Sequence, residues 1–219
     1  MTIGGKPLLI WGTGGHASSV LETALAVGAQ PVTFVAEDPS VKEFNDHPCL
    51  PESQLGSVLK SHQVVIAVGD NFTRQRITER LMAHEPLTTF ATLVHPSATV
   101  SRSASLEPGT VTLQGAIIGA RSRVGAHCII NTGASVDHEC VLGDFSSLAP
   151  GVVTGGRVHL GTRSAIGIGA AVRHNIAIGS DSVVGSASYV HTDIPDRVVA
   201  YGVPARVIRP RNGGDAYLS

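Results

Sequence analysis

Residues 124–143 read VGAHCIINTGASVDHECVLG. An aliphatic residue stands at Val124, Ile130, Val136 and Leu142, and a small one follows four places after each, at Cys128, Ala134, Cys140 and Ser146. The interval is six. Carried outward, the same phase runs from Val94 to Val190 without a slip: of its 17 positions, 15 are aliphatic and two, Thr112 and Thr154, are threonine. A repeat this short and this regular is the signature of a solenoid. Six residues make one short flat strand and a turn, and three such units close a triangular coil. The aliphatic residue fills the prism, and the small one fits where the chain turns. Stacked coils pair their strands at ~4.8 Å. Only the two ends are open edges, and they need caps. Cys128 and Cys140 hold the small inward position and read as core filler, since buried structural cysteines are inert.

Composition agrees. The chain has 219 residues, 42% apolar but only 4% aromatic, with 25 glycines. Its core must be built from Val, Ile, Leu and Ala on a tight, turn-rich backbone. The formal net charge is −1 and no Lys/Arg stripe exists, so nucleic acid is not an expected partner. No apolar run reaches the ~18 residues of a membrane-spanning helix. The opening MTIGGKPLLIWGTGGHA lacks the features of a signal peptide. Three cysteines without a C-x-x-C pair point to a reducing, cytoplasmic setting without disulfides.

The N-terminal part follows another pattern. PLLIWGTGGHASSVLETALAVGA, residues 7–29, reads as strand, glycine loop and helix. Gly12, Gly14 and Ala17 fit G-x-G-x-x-(G/A), and the next strand ends near Glu37 and Asp38. That spacing suits a nucleotide-binding βαβ unit, with phosphate at the helix N-terminus and an acid on the ribose or base. The competing reading is a tight turn that merely packs helix on strand. QVVIAVGDNFTRQRITERLMAH, residues 63–84, repeats strand, loop and helix, with Gly69 and Asn71 in its loop. Some 90 residues are half of a dinucleotide fold, enough for a mononucleotide group. The expected architecture is a small α/β Rossmann-like domain (1–92) sized for a mononucleotide group, a β-solenoid of hexapeptide repeats (93–196), and a C-terminal tail (197–219).

GTGGHASSVLETA, VVIAVGDNFTRQRI and INTGASVDHECVLGDFSSLAP together resemble the hexapeptide-repeat sugar acetyltransferases of the sialic-acid O-acetyltransferase and nucleotide-sugar N-acetyltransferase type, including the UDP-4-amino-sugar and GDP-perosamine enzymes. The likeness runs from about residue 8 to the motif YGVPARVI. It implies a left-handed parallel β-helix, against the usual right-handed crossover. It implies a homotrimer with acetyl-CoA in the groove between neighbouring helices, and a nucleotide-linked amino sugar on the N-terminal domain. It makes His138 the general base, with Glu139 beside it and Asn131 in the active site. The chemistry fits: an amine attacking a thioester must lose a proton, and an imidazole of ordinary pKa near ~6.5 takes it at neutral pH.

By the same resemblance Ser147, Ile168, Gly185 and Ser186 fall on the acetyl-CoA channel, and Gly12, Gly14, Gly15, His16, Glu37, Gly69 and Asn71 on the sugar-nucleotide site. Ala36 replaces one acid of a family Asp-Asp pair, and Ser147 stands where the close N-acetyltransferase relative has histidine. No metal is expected: His127, His138 and His159 differ in phase within the hexad and so face different directions. Competing readings are O-acetylation of a sugar such as sialic acid, and a non-catalytic nucleotide-sensing or scaffold trimer. A solvated surface role is the bland alternative for His138.

Overall fold

The structure, a computed structural model, describes residues 7–38 and 40–217. Residues 1–6, part of the opening stretch that lacks signal-peptide features, and residues 218–219 of the expected tail lie outside that range.

The N-terminal elements are β1 (Leu8–Trp11), α1 (Gly15–Ala26), β2 (Val32–Ala36), β3 (Glu43–Phe44), β4 (His47–Pro51), α2 (Leu55–Val58), β5 (Gln63–Ile66), α3 (Asn71–His84) and β6 (Thr89–Phe90). They form one sheet in the order β3-β4-β2-β1-β5-β6. Its strands are parallel except β3, which pairs antiparallel with β4. β1 is buried along its length, which explains its unbroken LLIW run. Two loops, after β1 and after β5, leave the sheet at the carboxyl ends of adjacent strands. In such sheets ligands bind at that edge.

From Leu93 the chain enters the repeat. Seventeen two-residue strands follow, from Leu93–Val94 to Tyr189–Val190. Each pairs in parallel with a strand 18 residues away, as Ile118 does with Val136. The coils therefore stack as a three-faced prism. The first face carries Ile129–Ile130 and Ser147–Leu148, the second Ser135–Val136, the third Val141–Leu142. In each pair the second residue points in: Ile118, Ile130, Val136, Leu148 and Val184 are fully buried in one continuous core.

The small inward position does more than fill space. Ser122 Oγ donates to the carbonyl of Asp137 at 2.6 Å and accepts from the N–H of Cys140 at 3.0 Å. Ser164 repeats the arrangement toward Gly179 and Ser182, and Cys128 Sγ reaches the Gly143 carbonyl at 3.2 Å. Hydroxyls and thiols thus satisfy buried backbone groups where the prism turns. Gly119 shows why bulk is refused beside the turns: a Cβ there would lie 2.6 Å from the carbonyl carbon of Asp137 in the next coil.

The segment after the array is more than a loose tail. Val198–Gly202 adds one more strand to the first face beside Val183–Val184, and Ala205–Pro210 folds back antiparallel on it. This hairpin closes the last coil's open edge. The sheet domain packs on the start of the first face, where Leu93, Val111 and Leu113 join the core of α1 and β1. His127, at the corner between third and first faces, stacks on Phe145 at 5.0 Å and meets Phe90 edge-on at 4.5 Å.

Candidate active site

His138 and Glu139 occupy the turn between the second and third faces. Glu139 has φ 58°, in the left-handed region that L side chains adopt only rarely. Its carboxylate accepts from His138 Nδ1 at 3.1 Å and from Arg121 at 3.0 Å, and Arg157 stands 3.5 Å away. Arg121 and Arg157 are the residues one coil before and one coil after Glu139, so the column alternates in charge. His138 and Arg121 hold the Glu139 carboxyl below the usual carboxylate range, first through the hydrogen bond from His138. A carboxylate only accepts, so Nδ1 of His138 carries a proton and the lone pair rests on Nε2. The ring is 44% exposed and lies over Gly156, one coil on. A Cβ at Gly156 would fall within 3.0 Å of Nε2, Cε1 and Cδ2.

A groove of about 470 Å³ runs along the first face and its corner with the second. Asn131, Ser147, Ile168, Gly185 and Ser186 line it, together with His16, Gly69 and Tyr217. A second pocket of about 560 Å³ is built by the glycine loop, with Gly12, Gly14, Gly15, His16, Glu37, Asp38 and Gly69 in its wall. Gly14 caps α1 without a side-chain hydrogen bond, and the helix's first residues, Gly15 and His16, line this pocket. His16 and Gly69 belong to both walls, so the two cavities meet there. His16 Nε2 is buried without a partner. Burial, and secondarily the Arg74 cation, push its pKa down to about 4, so the ring is neutral at neutral pH.

The residues expected in the channel therefore converge, and so do those expected around the nucleotide. Two groups fall elsewhere. Asn71 is 1% exposed, and its side chain is used inside the protein: Nδ2 donates to the carbonyls of Arg163 and Ser164, and Oδ1 accepts from Arg74 at 2.7 Å. His138 and Glu139 sit at the next corner of the prism, outside the groove of their own chain. Sequence reading missed Arg121, Arg157 and Gly156. All three follow from counting one coil on either side of Glu139 or His138. It also missed Tyr217, for which no local signal exists. Among the described residues no group of three or more His, Cys, Asp or Glu side chains is placed to hold a metal ion. No helix among them is long and apolar enough to cross a membrane.

Comparison with known proteins agrees with this geometry. Residues 7–81 match the PglD N-terminal domain family. A UDP-N-acetylbacillosamine N-acetyltransferase of Bacillus subtilis (strain 168) is 39% identical over 111 residues, 48% of this chain and 50% of the relative, so the match spans half the length of that curated protein. The acetyltransferase domain of PglB from Neisseria gonorrhoeae FA1090, solved with acetyl coenzyme A, superposes with a TM-score of 0.88 at 33% identity, over 94% of this chain and 100% of that one. PerB from Caulobacter crescentus, solved with CoA and GDP-perosamine, gives 0.86 at 36% identity over 95% and 99%. The chain belongs to the hexapeptide-repeat nucleotide-sugar N-acetyltransferase family. Its solenoid is that family's left-handed parallel β-helix.

Proposed function

We propose that the protein transfers the acetyl group of acetyl-CoA to the amino group of a nucleotide-linked 4-amino-deoxy sugar, in surface-glycan or glycoprotein synthesis. The observation that carries this reading is the meeting of the two cavities at His16 and Gly69. The glycine-loop pocket in residues 1–92 takes the nucleotide, with phosphate at the N-terminus of α1 and Glu37 toward the ribose or base. The groove along the solenoid takes the pantetheine arm between Ile168, Gly185 and Ser186, with the thioester near Asn131 and Ser147.

The reaction needs one base and no covalent enzyme intermediate. The amine attacks the thioester carbonyl, and a C–N bond forms. His138 Nε2 takes the proton shed by the nitrogen. The tetrahedral intermediate collapses, the C–S bond breaks, and the thiolate leaves to be protonated as CoA. Glu139 fixes the tautomer that leaves Nε2 free. With two guanidiniums on that carboxylate, its negative charge is largely offset, so its main service to His138 is orientation.

A homotrimer supplies the missing proximity. The second face exposes Ile117, Val153 and Tyr189, 40–51% accessible, in a row of outward strand positions. Such patches mark contact surfaces. That face lies between the Asn131 corner and the His138 corner. Three copies around an axis on it bring the His138 corner of one to the groove of the next. Three buried free cysteines suit the reducing cytoplasm.

The test is thiol release from acetyl-CoA with a panel of UDP-, GDP- and dTDP-linked 4-amino sugars and their 4-hydroxyl analogues. Turnover confined to amines supports the reading. Turnover of the hydroxyl analogues alone, or of none, overturns it.

A further inference from the structure

The buried arginine of α3 stands where the two halves of the molecule join. Arg74 is 1% exposed and donates five hydrogen bonds. Nε reaches the carbonyl of His127 at 2.8 Å, and Nη1 reaches those of Val68 at 2.8 Å and Gly69 at 3.0 Å. Nη2 reaches Asn71 Oδ1 at 2.7 Å and the carbonyl of Phe145 at 2.9 Å. None of these acceptors is a carboxylate. They come from the loop after β5, the first residue of α3, and the corner turns of two successive coils. Tyr217, from the last described residues, donates its hydroxyl to Gly69 at 3.3 Å and accepts the N–H of Asn71 at 3.2 Å.

A buried cation is a costly way to join two domains, and apolar contacts do it at least as well. What a guanidinium adds is direction: five donors in a rigid fork fix the relative position of every acceptor. One acceptor is the Gly69 peptide, in the wall shared by the nucleotide pocket and the groove. We infer that Arg74, with Tyr217 as its second brace, is a positioning residue that sets the register between the two substrates by locking the Gly69 wall to the coils. This rests on the two-pocket reading above. Arg74 touches neither substrate. It acts on the distance between them.

The test separates register from folding and from either affinity alone. The full chain is titrated with CoA, with the nucleotide amino sugar that the wild type turns over, and with a conjugate joining CoA sulfur to the sugar nitrogen through a –CH2–CO– bridge. Arg74→Lys should bind each half within about threefold of wild type, yet bind the conjugate ~10²-fold more weakly and lose ~10² in kcat at little-changed KM, the cost of a misplacement near 1 Å. Tyr217→Phe keeps the ring and removes one hydroxyl; it should show the same split at about tenfold, and it decides the matter if Arg74→Lys does not fold. A conjugate weakened no more than its halves overturns the inference while the function stands. Wild-type protein that binds neither half overturns the function reading and the inference with it.

Discussion

The imidazole of His138 packs against Gly156, with the glycine's missing Cβ leaving the room that Nε2, Cε1 and Cδ2 occupy. The backbone of Gly156 is not in the left-handed region, so alanine costs nothing there on conformational grounds. Gly156→Ala therefore probes only the position of the base. It should lower kcat by ~10–10² by displacing Nε2, with the melting temperature nearly unchanged. A variant with wild-type turnover removes His138 from the reaction, as does His138→Ala that retains more than about a tenth of kcat, since a lost general base costs ~10²–10⁴.

Glu139 is held in a left-handed turn between Arg121 and Arg157. If its service is to orient the ring, Glu139→Gln keeps an acceptor for Nδ1 and should retain more activity than Glu139→Ala. The alanine variant should lose roughly tenfold in kcat. Arg157→Ala should leave kcat closer to wild type than either. Steady-state kinetics on the three variants orders them. A glutamine variant as impaired as alanine shows that the charge itself is required.

Much of this was written in the sequence, and the reason is periodicity. With a coil of three hexads, Val136 and Cys140 must point in and His138 must lie at a turn, and the structure has them so. The groove residues Asn131, Ser147, Ile168 and Ser186 lie on one corner and face of the prism because they keep related phases in successive coils. What the period does not encode is the packing of one domain on the other. Asn71 looks like a loop residue facing a ligand, yet it is buried against Arg163 and Ser164. The stack of His127 on Phe145 is likewise invisible, since both occupy a turn phase that is mostly exposed at the other corners. The closing hairpin of Val198–Pro210 carries no hexad signal at all.

The separation of His138 from the groove predicts complementation between two dead variants. His138→Ala removes the base, and Ser186→Trp, at an exposed position, fills the channel. Each alone should be inactive. Mixed by co-expression, about a quarter of the sites in a random three-membered ring combine an intact base with an intact groove. Activity near that fraction of wild type supports a site shared between neighbours. A mixture as dead as its parents places the whole site within one chain. Val153→Lys, on the exposed second face, should shift light scattering from trimer to monomer and abolish turnover together.

Stability should fall in acid for a reason that can be localised. His16 and His127 both have pKa values lowered to about 4, chiefly by burial and then by the Arg74 cation. Both values lie below the ordinary 6.5. Between those limits the unfolded chain binds more protons than the folded one, so stability rises with pH through the window and levels off above it. A shift of this size is worth at most about 3 kcal/mol per group at 1.36 kcal/mol per unit. Urea midpoints measured from pH 4 to pH 8 should climb to about pH 7 and then flatten. His127→Gln should lower the plateau, by loss of the stack on Phe145, but reduce the slope below it by about half. An unchanged slope assigns the acid sensitivity to other groups.

Two glycines of one loop should respond in opposite ways. Gly12 has φ +117°, and a Cβ there would sit 3.0 Å from the carbonyl oxygen of Ala67, so Gly12→Ala strains the chain and crowds the loop just after β5 at once. It should lower stability by roughly 1–3 kcal/mol and affect both substrates through the fold. Gly14 has ordinary extended backbone and nothing within 4 Å of where its Cβ would be. Gly14→Val thus fits the folded protein and intrudes only on the pocket at the N-terminus of α1. Its melting temperature should stay near wild type. Its KM for the nucleotide sugar should rise about tenfold or more, because the bulk keeps the phosphate from the backbone N–H groups. KM for acetyl-CoA should hardly move, since the groove is lined by other residues. If Gly14→Val weakens acetyl-CoA instead and spares the sugar, the glycine loop serves the cofactor and the assignment of the two pockets must be reversed.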